Sequence, residues 1–110
     1  MAESISQQIR DAAIARGIDP EVALKIANAE SDLVSSAKNP RSSARGLFQV
    51  TDDTWKFYGG DPKKRNDVAE NIRVGLNVID GNRAEFKRLY GREPSQSELY
   101  MMHVFGKTGG

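Results

Sequence analysis

Cysteine is absent from the chain and histidine occurs once. The first absence excludes disulfides, thiolate zinc sites and cysteine nucleophiles together, and the second leaves too few imidazoles for most catalytic metal sites. No metal or cofactor is therefore expected, and any chemistry must run on oxygen groups. An excess of one charge sign is also missing: 16 Lys and Arg stand against 15 Asp and Glu, leaving +1. No global field of that size recruits nucleic acid or an anionic membrane. Long apolar runs are lacking too. Ala12-Ala13-Ile14-Ala15 is as long as any, whereas a spanning helix takes about 20 apolar residues. Met1-Ala2-Glu3-Ser4 has no basic start of the kind an export signal carries. These absences predict no nucleic-acid partner and no membrane insertion. They also predict a chain without a signal peptide, made in a cytoplasm or cut from something longer.

What is present is the balance of a folded protein. Hydrophobic residues make up 38% and charged residues 28% of 110 residues, with 4 prolines, which fits one soluble domain over 1–110 and not a disordered chain. The near-neutral charge is uneven. Residues 1–37 hold three basic and six acidic groups, residues 38–65 seven and three, and residues 66–110 six and six. The basic middle reads either as a solvated loop face or as a groove for something anionic.

Periodicity and punctuation predict about five helices. Ile5, Ile9, Ala12 and Ala13 share one face of a helix over 3–16, and Gly17 fits its C-terminal stop. Asp19-Pro20-Glu21 is the clearest helix start, with a capping carboxylate, a proline at the first helical position and an acid at the positive end of the dipole. Val22, Ala23, Ile26 and Ala27 continue as a buried stripe, and Glu30 falls in phase with it. Residues 32–46 carry turn chemistry without periodicity and read as a long surface loop, of a kind that is often functional. Thr51 caps a short helix through Trp55 and Tyr58, closed by Gly59-Gly60, and Asp61 to Arg65 form a connection. A long helix follows from Asn66 to Tyr90, with Gly91 as a stop, Gly75 and Gly81 as points of either close packing or weakness, and a potential break near Gly81. Ser95-Gln96-Ser97-Glu98 matches a capping box opening a last helix with Leu99, Met102 and His103 on one side.

Glu30 is the candidate for chemistry. A carboxyl in a core-facing slot is disfavoured as an anion, and a neutral carboxylic acid near pH 7 is what general acid catalysis requires. The competing reading is a glutamate near a helix end that turns to solvent or to loop amides. The Ser-, Asn- and Gly-rich loop that follows, then an Asn/Gln-bearing segment and an aromatic cluster, supply the polar and stacking groups that sugars need.

These residues also spell a family. Gly17-Ile18-Asp19-Pro20, Ala27-Asn28-Ala29-Glu30-Ser31, Gly46-Leu47-Phe48-Gln49, and Ala69-Glu70-Asn71-Ile72 with Gly75 resemble, in order, the motifs of the soluble lytic transglycosylases. These are goose-lysozyme-like enzymes that cleave bacterial peptidoglycan. Each motif alone is weak, whereas four at plausible spacing across residues 17–106 are specific. Asn39-Pro40-Arg41-Ser42-Ser43-Ala44-Arg45-Gly46, with Thr54-Trp55 beyond it, looks most like versions carried in bacteriophage virion proteins.

The resemblance implies an all-α, lysozyme-like single domain with a substrate cleft between the Glu30 helix end and the segments around Gln49 and His103. It implies that Glu30 is the sole acid/base. It would protonate the glycosidic oxygen between N-acetylmuramic acid and N-acetylglucosamine, then deprotonate the muramic 6-hydroxyl, whose attack on C1 gives a 1,6-anhydro end. Ordinary glycosidases use two carboxyl groups. Asp32 falls on another side of the helix, and Asp52 and Asp53 keep hydrolysis as a second mechanism. Ser31 matches the serine after the glutamate and reads best as a structural hydroxyl. Gln49 matches a glutamine that touches the sugar acetamido group, and Phe48 stands where methionine is usual. Glu70 and Asn71 match a motif that faces or braces the cleft. Asn39 replaces a common serine, in an interval from Glu30 to Gln49 that is one residue longer than usual. In the last motif, spacing to Gly106 selects His103 and residue type selects Tyr100, with His103 favoured. The chain ends at Gly109-Gly110, so the domain is minimal or a fragment. The expected partners are glycan strands and other virion or lysis proteins, in a phage particle that opens the wall. A non-catalytic glycan-binding module is the alternative from another class. A helical nucleic-acid binder ranks last, because the basic groups sit in loops.

Overall fold

Helix boundaries follow from capping groups that the sequence supplies. The computed structural model describes residues 3–106; Met1-Ala2 and the Gly109-Gly110 end lie outside them. Ser4 accepts the Gln7 amide and opens α1, Ile5–Ala15. Its end is a Schellman motif, in which Gly17 N donates to Ile14 O and Ile18 N donates to Ala13 O. That turn buries Ile18 beside Ala13 and leads directly to Asp19, which accepts the Glu21 amide and opens α2, Pro20–Ser31. Asp32 and Leu33 then take left-handed conformations at φ 52° and 63°, turning the chain sharply off the helix two residues after Glu30.

The loop predicted over 32–46 continues to residue 50, tied by two isolated antiparallel bridges, Lys38 to Arg45 and Arg45 to Val50. Thr51 opens α3, Asp52–Phe57. The connection after it contains an element the sequence reading did not foresee, a single 3-10 turn over Pro62–Lys64 capped by Asp61. Asp67 accepts the Glu70 amide and opens α4, Val68–Tyr90, which ends on left-handed Gly91. The capping box forms as read: Ser95 Oγ accepts the Glu98 amide and Glu98 accepts the Ser95 amide at the start of α5, Gln96–Gly106.

The potential break at Gly81 does not occur, and α4 is continuous. Gly81 serves close packing instead, since a Cβ there would lie 2.1 Å from the Tyr58 hydroxyl. Gly75 likewise admits the Phe48 ring, 2.2 Å from where its Cβ would stand. Without these two glycines the segment 47–58 could not lie flat on α4.

α1 packs on α2 and α4, and α5 closes the bundle against α2 and α4. Leu47, Phe48 and Trp55 are buried in the same core as Ile26, Leu76 and Leu99. The loop is therefore anchored by apolar side chains, burying of each contributing about 1.5–3 kcal/mol. The architecture is all-helical and single-domain, with no strand among the described residues. No helix among them is long and apolar enough to cross a membrane.

Candidate active site

The last turn of α2, the loop at 46–50 and the middle of α5 converge on one buried polar centre. The Glu30 side chain is 8% exposed and that of His103 3% exposed, with Glu30 Oε2 3.8 Å from His103 Nε2. The same Nε2 lies 2.8 Å from Phe48 O. A carbonyl oxygen only accepts, so Nε2 carries the hydrogen. The imidazole is thereby oriented by a backbone group 55 residues away in sequence, and its ring meets the Phe48 ring edge-on at 6.2 Å.

Beside this centre is a cavity of about 170 Å³. His103 is common to both; Glu30 does not line the cavity. Phe48, Gln49 and Met102 form part of its wall, and Thr54, Tyr58 and Asn82 add hydroxyl and amide groups. The last three were missed in the sequence. Tyr58 and Asn82 become neighbours only because Gly81 lets the tyrosine ring lie on α4, and the unfilled Cβ position at Gly81 was the one available signal.

Ser31, Asn71, Gln49, Glu70 and Asn39 have polar atoms engaged by the protein. Ser31 is buried, and its Oγ lies within donating distance of Leu47 O at 2.8 Å and Ala27 O at 3.0 Å. Asn71 is buried in the same brace. Its Oδ1 accepts the Leu47 amide at 2.8 Å, and its Nδ2 donates to Arg65 O and Asp67 O. Ser31 and Asn71 thus hold the carbonyl and the amide of Leu47, one from α2 and one from α4. Gln49 takes a left-handed conformation at φ 51° and donates through Nε2 to Ala37 O and Gly46 O. Left-handed non-glycine residues are costly and gather where structure over-determines them. Among the described residues these are Asp32, Leu33 and Gln49, which follow Glu30 closely in the chain or line the cavity.

Glu70 accepts from Arg73 and from the Asp61 amide. The Arg73 guanidinium first, and then that amide, push its pKa down to about 2. Asn39 Oδ1 accepts the Arg41 amide and shapes the loop tip. Tyr100 lies apart from the His103 cavity, in a shallow groove with Leu24, Lys25, Asn28 and Ala29, where Lys25 Nζ stands 5.1 Å from its ring centre. Asp52 pairs with the buried Arg65, Asp53 is exposed, and neither lines the cavity. Among the described residues no group of three or more His, Asp or Glu could hold a metal ion.

Residues 7–98 match the family model described as the Transglycosylase SLT domain. The chain belongs to the transglycosylase SLT family. Membership implies lytic transglycosylase activity on peptidoglycan and gives the helical architecture its lysozyme-like character. The match covers α1 through the first turn of α5. Tyr100 and His103 lie beyond it, so the place of His103 in the SLT domain rests on its distances to Glu30 and Phe48.

Proposed function

We propose that this SLT domain cleaves the glycan strand of peptidoglycan between N-acetylmuramic acid and N-acetylglucosamine, with Glu30 as sole acid/base. Glu30 gives its proton to the glycosidic oxygen as the bond to C1 breaks. The resulting carboxylate takes the proton of the muramic 6-hydroxyl as that oxygen bonds to C1, leaving a 1,6-anhydro end and an acid ready for the next cycle. No water is consumed.

The observation that carries the reading is the seclusion of one carboxyl. Glu30 stands 8% exposed at 3.8 Å from an oriented imidazole, while the two carboxylates that a hydrolytic mechanism would recruit point elsewhere. Asp52 is paired with Arg65 and Asp53 is exposed. A hydrolase of the ordinary kind needs a second carboxyl at a set distance from the first. An internal hydroxyl nucleophile removes that need.

His103 is the positioning residue in this scheme, its imidazole fixed by Phe48 O beside the Glu30 carboxyl. Ser31, Asn71 and Glu70 keep the surrounding backbone in place, Asn39 shapes the loop tip, and Phe48 and Gln49 wall the cavity where a sugar ring or its acetamido group docks. A setting within a phage particle rests on the likeness of the 39–46 loop to virion proteins. Glu30→Gln, which keeps the shape and cannot give up a proton, should lower release of soluble fragments from purified sacculi by about a hundredfold or more. An unaltered rate rejects Glu30 as the acid.

A further inference from the structure

The loop between Glu30 and the cavity carries a strip of cations that the fold does not use. Lys38 and Arg45 are opposed in an antiparallel bridge, which puts two positive side chains on one face. Like charges directly opposite each other in this way oppose folding. Arg41 sits at the loop tip between them, where Asn39 Oδ1 fixes its backbone. None of the three forms an ion pair among the described residues. Asp52, on the helix that follows the loop, is already committed to Arg65. Arg65 itself feels the strip. Burial first, and then the positive charge of Arg45, holds its guanidinium below the usual arginine range.

The strip is also fixed relative to the cavity. Gly46 N donates to Ala37 O and Asn39 N donates to Ala44 O, closing the loop on itself. Gln49, which lines the cavity, donates through Nε2 to Ala37 O and Gly46 O at the two feet of that loop. Three cations on a loop whose base borders the cavity lie beside whatever hangs from a glycan docked there. On peptidoglycan the groups that hang from each muramic residue are short peptides with free carboxylates.

We propose that Lys38, Arg41 and Arg45 form a docking strip for the carboxylates of the stem peptides. The choice of partner rests on the peptidoglycan reading above, but the test reads binding and not cleavage. Sedimentation of the protein with purified sacculi at about 0.1 M salt is compared before and after conversion of the stem carboxylates to neutral amides. The combined variant Lys38→Gln, Arg41→Gln, Arg45→Gln is run alongside a charge-matched control, Lys56→Gln, Lys63→Gln, Lys87→Gln.

Three charge contacts at solvent-accessible side chains, each worth a few-fold, predict about tenfold weaker binding of wild type to amidated sacculi and of the strip variant to untreated ones. The strip variant should be insensitive to amidation, the control should bind like wild type, and added salt should weaken wild-type binding most. Equal loss in strip variant and control assigns the effect to net charge and overturns the strip. Binding unchanged by amidation but lost when wall phosphodiester polymers are extracted assigns it to phosphate and overturns the carboxylate. Unchanged binding throughout overturns both. Cleavage could fail while this pattern holds, and the converse, so the two proposals fall separately.

Discussion

Glu30 Oε2 lies 3.8 Å from His103 Nε2, and the same nitrogen is 2.8 Å from Phe48 O. One imidazole therefore ties the end of α2, the loop at 46–50 and α5 into a single unit around a secluded carboxyl. If this unit orients Glu30 for proton transfer, His103 substitutions should act on turnover. His103→Phe fills the space and removes the donor, and kcat should fall about a hundredfold with KM little changed, as expected for a misaligned acid. His103→Tyr, which restores a hydroxyl donor, should recover part of that loss. Steady-state kinetics on soluble glycan strands checks it, and a change in KM alone would reduce His103 to a packing residue.

Asn71 is the keystone of the loop on the α4 side. Asn71→Ala removes the acceptor for the buried Leu47 amide and the donor to Arg65 O and Asp67 O. Groups left buried without partners cost about 1–3 kcal/mol each, so urea unfolding should show a loss of about 2–4 kcal/mol. A loss under 1 kcal/mol would mean that the loop holds itself.

Gly75→Ala tests the contact that seats Phe48. The new methyl would stand 2.2 Å from the ring, and overpacking of this kind costs about 1–3 kcal/mol. Because Phe48 O holds His103, activity should fall beyond what the lost stability explains, measured at a temperature where both proteins are fully folded.

Glu70 predicts acid sensitivity. Its folded pKa is pushed down to about 2 from a reference of 4.5, so its contribution to stability is complete above about pH 4.5 and is lost as pH falls towards 2. Glu98, held to about 2 by Arg92 and the Ser95 amide, acts in the same direction from the surface. Stability measured from pH 6 to 2 should therefore decline less steeply in Glu70→Gln than in wild type. Parallel curves would contradict the assignment.

The helix starts were legible because each rests on local chemistry. Asp19-Pro20 and the Ser95/Glu98 box cap their helices within three residues, so the sequence contains the whole interaction. The phase of Glu30 on α2 was legible for the same reason. What joins distant segments was not. No local pattern tells that Asn71 reaches Leu47, that His103 Nε2 finds Phe48 O, or that Tyr58 and Asn82 share a cavity wall. Gly81 was legible only as a choice, because a glycine inside a helix reads as close packing or as weakness, and only the structure shows that it is a place where a tyrosine lies down. Ser31, Glu70 and Asn71 were legible as a family pattern, but their hydrogen bonds run to the protein's own backbone and to Arg73.

The central claim is that a single carboxyl suffices because the substrate supplies the nucleophile. Digestion of purified sacculi in ¹⁸O-labelled water, followed by mass spectrometry of the released muropeptides, tests it directly. The account predicts 1,6-anhydro ends that carry no label, since no water enters the bond. Reducing ends bearing ¹⁸O would contradict it and establish hydrolysis.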